Sequence, residues 1–187
     1  MCVNCQYSCK SCTVATACVT CNALLFREAD ATTNFCKCQI LFYEDLASLT
    51  CQPCLYHCAS CSVGDRCITC DSATNHRFLN TTTTLCACED RYYDDGANVL
   101  CQSCLYDCLT CTDSSSCTSC DLATDLRVLD AATSRCLCTT RYYEDTSVNP
   151  AVCAACSYTC VTCISGTSCV TCNDTAYRVK NVVSGQC

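Results

Sequence analysis

Residues 51–70 read CQPCLYHCASCSVGDRCITC, with cysteines on the spacing C-x2-C-x3-C-x2-C-x5-C-x2-C. The spacing returns from Cys2 (CVNCQYSCKSCTVATACVTC), from Cys101 (CQSCLYDCLTCTDSSSCTSC) and from Cys153 (CAACSYTCVTCISGTSCVTC). The starts lie 49, 50 and 52 residues apart. Self-similarity at a fixed period marks a repeat architecture and is read before secondary structure. A further 14 or 15 residues separate each block from a seventh cysteine: Cys36, Cys86, Cys136 and Cys187. In the first three repeats that cysteine opens a C-x-C with Cys38, Cys88 and Cys138. The chain thus divides into cysteine-rich repeats at 1–50, 51–100 and 101–152 and a partial fourth at 153–187.

Other residues keep the same register. A tyrosine follows the second cysteine by two residues: Tyr7, Tyr56, Tyr106 and Tyr158. An arginine follows the sixth by six or seven: Arg27, Arg77, Arg127 and Arg178. After the C-x-C comes an aromatic–acidic stretch, Phe42-Tyr43-Glu44-Asp45, Tyr92-Tyr93-Asp94-Asp95 or Tyr142-Tyr143-Glu144-Asp145.

Composition points the same way. The chain holds 31 cysteines in 187 residues, no Trp and only 4 Phe. Cysteine at this density signals a disulfide scaffold in an oxidising compartment. A repeat of about 50 residues with few large side chains cannot bury enough apolar surface to fold alone, so disulfides must substitute for a core. No stretch between cysteines carries helical periodicity, and short hairpins fit better. In the second repeat His76-Arg77-Phe78-Leu79, polar Asn80 to Thr84, then Leu85-Cys86 reads as strand, turn, strand. Arg91-Tyr92-Tyr93, the turn Asp94 to Asn98, then Val99-Leu100-Cys101 reads as another, with Asp95-Gly96 as its turn signal. The expected fold is small and disulfide-rich: tandem short β-hairpins and irregular loops forming an elongated rod.

All four repeats resemble the furin-type cysteine-rich repeat of proprotein convertases and growth-factor-receptor ectodomains. They resemble in particular the arrays on surface proteins of ciliated protists, where C-x-C and Tyr-Tyr-Asp elements are common. The chain departs in having C-x-C without Pro where C-x3-C-P is usual. Spacing alone leaves 105 pairings open for eight cysteines. The resemblance implies one: second with fourth, third with fifth, sixth with seventh, eighth with the first of the next repeat. Carried over, it gives Cys5–Cys12, Cys9–Cys18, Cys21–Cys36 and Cys38–Cys51 in the first repeat. In the second it gives Cys54–Cys61, Cys58–Cys67, Cys70–Cys86 and Cys88–Cys101. In the third it gives Cys104–Cys111, Cys108–Cys117, Cys120–Cys136 and Cys138–Cys153. In the fourth it gives Cys156–Cys163, Cys160–Cys169 and Cys172–Cys187. Only Cys2 is left, and it is expected either to bond the eighth cysteine of an upstream repeat or to bond another molecule.

Several functional classes are weighed against plainer readings. The C-x2-C pairs have zinc-thiolate spacing, but the spacers are rich in Ser, Thr and Tyr, so disulfides and no metal or cofactor are expected. The acidic pairs Glu44/Asp45, Asp94/Asp95 and Glu144/Asp145 lack a Ca2+-loop pattern and are expected to be solvated turn residues. The repeated arginines are expected to pair within their repeats or lie over the disulfides, and the aromatics to pack on disulfides. The two histidines, His57 and His76, both fall in the second repeat, no reactive thiol is expected beyond Cys2, and no catalytic motif occurs, so no enzyme is expected. The net charge of -7 disfavours nucleic acid and anionic lipid. No apolar run is long enough to span a bilayer. No signal peptide precedes Cys2, so an extracellular or cell-surface location is inferred from cysteine usage alone. Asn80-Thr81-Thr82 and Asn173-Asp174-Thr175 are N-glycosylation acceptors, and Asn80 sits in an expected hairpin turn. The expected role is structural, a repeat segment of a filament, stalk or surface coat that associates with copies of the same array. A ligand-binding receptor ectodomain is the alternative, and a zinc-thiolate protein a lesser one.

Overall fold

The computed structural model describes residues 4–15, 17–173 and 177–187. Among these, twenty strands pair into ten two-stranded antiparallel hairpins, with one short α-turn (Ser72–Asn75) and one short 3-10 turn (Ala23–Leu25). The protein is therefore small, disulfide-rich and built of tandem hairpins, three to each of the first three repeats.

The first hairpin is formed by the C-x2-C pairs on either side of the five-residue spacer: Cys9–Val14 with Ala17–Cys21, Ser60–Val63 with Arg66–Thr69, Thr110–Cys111 with Cys117–Ser119, and Cys160–Cys163 with Cys169–Cys172. The residue before the fourth cysteine faces the residue before the sixth, and both are Ser or Thr in every repeat. Their hydroxyls hydrogen-bond across the strands: Ser11 with Thr20 at 2.5 Å, Ser60 with Thr69 at 2.6 Å, Thr110 with Ser119 at 2.5 Å and Thr162 with Thr171 at 2.6 Å. Such cross-strand hydroxyl pairs stabilise a ladder that is too short to hold itself.

The second hairpin begins at the repeated arginine: Arg27–Ala29 with Cys36–Cys38, Arg77–Asn80 with Leu85–Cys88, and Arg127–Asp130 with Arg135–Cys138. Two turns frame it. Ahead of it, the residue after the sixth cysteine caps a tight turn: Asn22 Oδ1 accepts from Leu24 N, and Asp71 and Asp121 accept from Thr74 N and Thr124 N. Each of these turns ends in the left-handed region, at Phe26 (φ 56°), His76 (φ 53°) and Leu126 (φ 56°). At the hairpin's own turn, Asp30, Asn80 and Asp130 accept the N–H two residues on, forming Asx turns. The loop then closes through a left-handed residue, Asn34 (φ 59°), Thr84 (φ 57°) or Ser134 (φ 54°). The carbonyl of that residue accepts from the fifth cysteine, at 3.0 Å for Cys18, 2.9 Å for Cys67 and 2.8 Å for Cys117. The second hairpin is thereby hooked onto the first.

The third hairpin pairs Phe42–Asp45 with Thr50–Pro53, Tyr92–Tyr93 with Gln102–Ser103, and Tyr142–Asp145 with Val152–Ala155. In the second repeat the returning strand starts at Gln102, whereas the sequence suggests Val99 to Cys101. The carbonyls of Asn98 and Val99 accept from Arg77, at 3.1 and 2.6 Å, and this hairpin has two residue pairs. Each third hairpin spans the junction between consecutive repeats. Cys54 N donates to Leu41 O, Cys104 N to Arg91 O and Cys156 N to Arg141 O, each at 2.8 Å. Tyr43 lies against Gly64, and Tyr143 against Gly166.

Two compact bodies result, one reaching Glu89 and including Gly96–Cys101, the other comprising Asp90–Asp95 with Gln102–Cys187. In each, every buried apolar residue among those described is a cysteine. Cys58, Cys61, Cys67 and Cys86 cluster in the first, and the second holds two separate clusters, Cys108, Cys117 and Cys136 in one and Cys160, Cys163 and Cys169 in the other. The large aliphatics lie outside, with Leu24 88% and Ile40 72% exposed. Hydrophobic burial of the usual kind does not hold these repeats together. Apart from cysteine, the fully buried side chains of the largest volume are Arg27, Arg77 and Asp107.

Candidate functional site

The feature that recurs with the repeat is an arginine clasp. Arg27, Arg77 and Arg127 open the second hairpins and are 1–2% exposed. Each guanidinium lies under the tyrosine that follows the second cysteine, 5.3 Å from the Tyr7 ring centroid, 5.5 Å from Tyr56 and 5.4 Å from Tyr106. Arg178 repeats this under Tyr158 at 5.3 Å. From there the arginine donates to the seventh cysteine's carbonyl: Cys36 O at 3.4 Å, Cys86 O at 3.3 Å, Cys136 O at 2.9 Å and Cys187 O at 3.4 Å. The remaining donors reach the third hairpin. Arg27 grips Glu44 through two bonds of 2.8 and 2.7 Å and also donates to Leu49 O at 3.1 Å. Arg127 donates to Glu144 and to Ala151 O, both at 3.1 Å. Arg77 donates to Asn98 O and Val99 O. Only a planar fork with five donors serves a ring face, a carbonyl and a carboxylate at once.

The clasp changes the reading of two acidic residues. Glu44 and Glu144 are not solvated turn residues; they close on the buried arginines, and Glu144 also accepts from the Tyr106 hydroxyl. Their neighbours do act in turns. Asp45 accepts from Ala47 N at 3.0 Å and Ser48 Oγ at 2.7 Å, and Asp145 from Ser147 N and Oγ at 3.0 and 2.6 Å. The fork from Arg27 holds the Glu44 carboxyl below its ordinary range, and Glu44 in turn raises Arg27. Burial, then the charge of Glu44, raises the Tyr7 phenol, and the hydrogen bond to Glu144 raises that of Tyr106. The aromatics divide likewise: Tyr7, Tyr56, Tyr106 and Tyr158 cover arginine, while Tyr43 and Tyr143 pack on the disulfide clusters of the following repeats.

The thirty described cysteines form fifteen disulfides. Cys61 and Cys67 face each other across the first hairpin of the second repeat, yet bond outward to Cys54 and Cys58. The pairs Cys5–Cys12 with Cys9–Cys18, Cys104–Cys111 with Cys108–Cys117, and Cys156–Cys163 with Cys160–Cys169 do the same. The C-x3-C loop is thus pinned to both strands. Cys21–Cys36, Cys70–Cys86, Cys120–Cys136 and Cys172–Cys187 tie the first hairpin to the seventh cysteine. Cys38–Cys51, Cys88–Cys101 and Cys138–Cys153 cross into the next repeat. Cys2 lies outside the described residues.

The residue before the third cysteine is buried and polar in three repeats: Ser8, Asp107 and Thr159. Asp107 Oδ2 accepts from Arg135 Nε at 2.9 Å and from Cys136 N at 3.3 Å, adding a second tie to the second hairpin. Reading the sequence does not reveal this position, because it is Ser8, His57, Asp107 and Thr159 in turn.

Two equivalent clefts lie beside the clasps. One, of about 280 Å³, includes Leu41, Tyr56, Asn75 and Val99. The other, of about 460 Å³, includes the corresponding Arg91, Tyr106, Asp125 and Ala151, with Arg91 paired to Asp125 at 2.7 Å. His57 meets the Tyr56 ring edge-on, and His76 Nδ1 lies 3.5 Å from Glu89. Among the described residues, the groupings of His, Cys and acidic residues close enough to ligate a metal all contain both sulfurs of a disulfide, which offer no thiolate. Asn80 is half-buried at the start of its turn, and the Asn173 acceptor extends into residues outside those described. No helix among the described residues is long and apolar enough to cross a membrane. Searches of family models, of curated proteins and of solved structures find no match to the chain.

Proposed function

We propose that this chain is a non-catalytic repeat segment of an extracellular filament, stalk or cell-surface coat, and that its repeats are of the furin-type cysteine-rich class. The observation that carries the reading is the interior itself: among the described residues, disulfide sulfur replaces every buried aliphatic and aromatic side chain. Bonding this extensive is consistent with an extracellular structural or surface protein, since reducing compartments do not sustain it. The first and third repeats each close a charge pair through the arginine clasp, and the third hairpin of each of the first three repeats runs into the next repeat. Such a unit adds without a shared core, so an array tolerates any number of copies and resists proteolysis. Association with neighbouring copies of the array is part of this reading.

A ligand-binding ectodomain is the second reading, favoured by the cleft of about 460 Å³ beside Tyr106 and Arg91. The zinc-thiolate alternative requires reduced cysteines. Electron microscopy of the native material tests the first reading. Filaments or a continuous coat labelled by antibody to this chain support it; label confined to dispersed single molecules in a membrane overturns it. A free-thiol count near thirty in the native protein would restore the zinc reading.

A further inference from the structure

We propose that Asn80 carries an N-linked glycan. The acceptor tripeptide Asn80-Thr81-Thr82 lies in the turn of the second hairpin of the second repeat. Thr81, Thr82 and Thr83 are exposed, and Asn80 ends its strand at the surface edge of the turn. The turn uses only one end of the Asn80 amide. Oδ1 accepts from Thr82 N at 3.0 Å and from Thr83 N at 3.2 Å. Nδ2, the atom that becomes glycosylated, makes no hydrogen bond among the described residues. A sugar attached there leaves every fold-forming bond of the turn in place: the Asx bonds to Oδ1, Thr84 N to Asn80 O at 2.8 Å, and Cys67 N to Thr84 O at 2.9 Å.

The other repeats show why the site falls here. Their equivalent turns begin with Asp30, Asp130 and Asn181. The two carboxylates have no amide nitrogen to offer, and Asn181-Val182-Val183 lacks the hydroxyl that an acceptor requires. The turn geometry is common to all four repeats, but the chemistry of an acceptor is present in one.

The transfer balances with a lipid-linked oligosaccharyl diphosphate as donor. Asn80 Nδ2 forms a bond to the sugar's anomeric carbon, the bond from that carbon to the diphosphate oxygen breaks, and Nδ2 releases one proton to solvent through a base of the transferase. The lipid diphosphate leaves.

The inference rests on the extracellular reading, because the donor and transferase belong to the secretory route. The test is expression of the full chain in a eukaryotic secretory host, with intact mass measured without reduction before and after amidase removal of N-glycans. The amidase converts a glycosylated Asn to Asp, so peptide mapping then places the site. The expected result is a glycan-sized mass loss and Asp at position 80. Asn80→Gln and Thr82→Ala each abolish modification of the turn, while Thr82→Ser keeps Asp at position 80 after the amidase, and all three are secreted with the same disulfides. A secreted, fully oxidised chain with unmodified Asn80, or one modified at Asn173 alone, overturns the inference and leaves the extracellular reading standing. A chain retained in the cell with free thiols overturns both.

Discussion

Replacing Arg27 with Met should open the second and third hairpins of the first repeat and leave the rest of the molecule untouched. Met fills a comparable volume but has no donors. The Cys36 carbonyl loses the partner it has at 3.4 Å, and an unsatisfied buried acceptor costs about 1–3 kcal/mol. Glu44 loses both bonds of the fork and its 28%-exposed side chain keeps a charge without a partner. Breaking a fully buried pair costs about 3–5 kcal/mol, and this one is partly hydrated, so its share is smaller. Together the substitution should cost about 2–4 kcal/mol, allowing for water that enters the vacated site. Native-state hydrogen exchange reads this locally. Protection of the amides in Arg27–Ala29 and Cys36–Cys38 should fall by roughly 30- to 800-fold. Amides of the Arg127–Asp130 and Arg135–Cys138 hairpin should be unchanged. Arg27→Lys should lie between wild type and Met, because an ammonium cannot reach the ring, the carbonyl and both carboxylate oxygens. Protection unchanged in Arg27→Met, or fully restored by Lys, would refute the clasp as the tie between hairpins.

Three further outcomes follow from the same geometry. Removing Cys70–Cys86 by paired Cys→Ala substitution frees a loop closed over a sequence separation of 16, which should cost about 3 kcal/mol and lower the oxidised chain's melting temperature in calorimetry. Thr84 is β-branched at φ 57°, so Thr84→Gly should relieve about 1 kcal/mol of left-handed strain, less the added backbone entropy, and slow amide exchange in its hairpin. Asp30 is pushed down to about 2, chiefly by the Thr32 hydroxyl. Its folded value lies below its unfolded one, so its stabilisation is complete above the ordinary Asp range and fades as pH falls toward 2. Exchange measured across that window should show the fading in wild type and not in Asp30→Ala.

The hairpin of Arg77–Asn80 with Leu85–Cys88 was legible because its signals are local: a polar turn between two short apolar stretches. The pairing of Tyr92–Tyr93 was harder. Its partner strand starts at Gln102, beyond the apolar Val99-Leu100 that marks it in the sequence, and the preceding carbonyls accept from Arg77, a residue 15 positions before Tyr92, which no periodicity records. The clasp hid for the same reason. Arg27 and Glu44 each stand out by recurrence, but 17 residues separate them, and an acidic residue beside a turn looks solvated until the turn is folded back. Two signals were present in the sequence and carry structure: the Ser or Thr before the fourth and sixth cysteines, and the Asn or Asp after the sixth. Both matter only once strand register is known. Cysteine connectivity lies beyond spacing altogether, because facing cysteines such as Cys61 and Cys67 bond elsewhere.

The most direct test is the amide spectrum of the isotopically labelled chain by heteronuclear NMR, recorded oxidised and again after full reduction and alkylation under non-denaturing conditions. If sulfur bridges stand in for an apolar interior, the dispersed resonances of the oxidised chain collapse to the narrow range of an unfolded one when the bridges are cut. Dispersion that survives reduction would mean that something other than the cysteines holds the hairpins together.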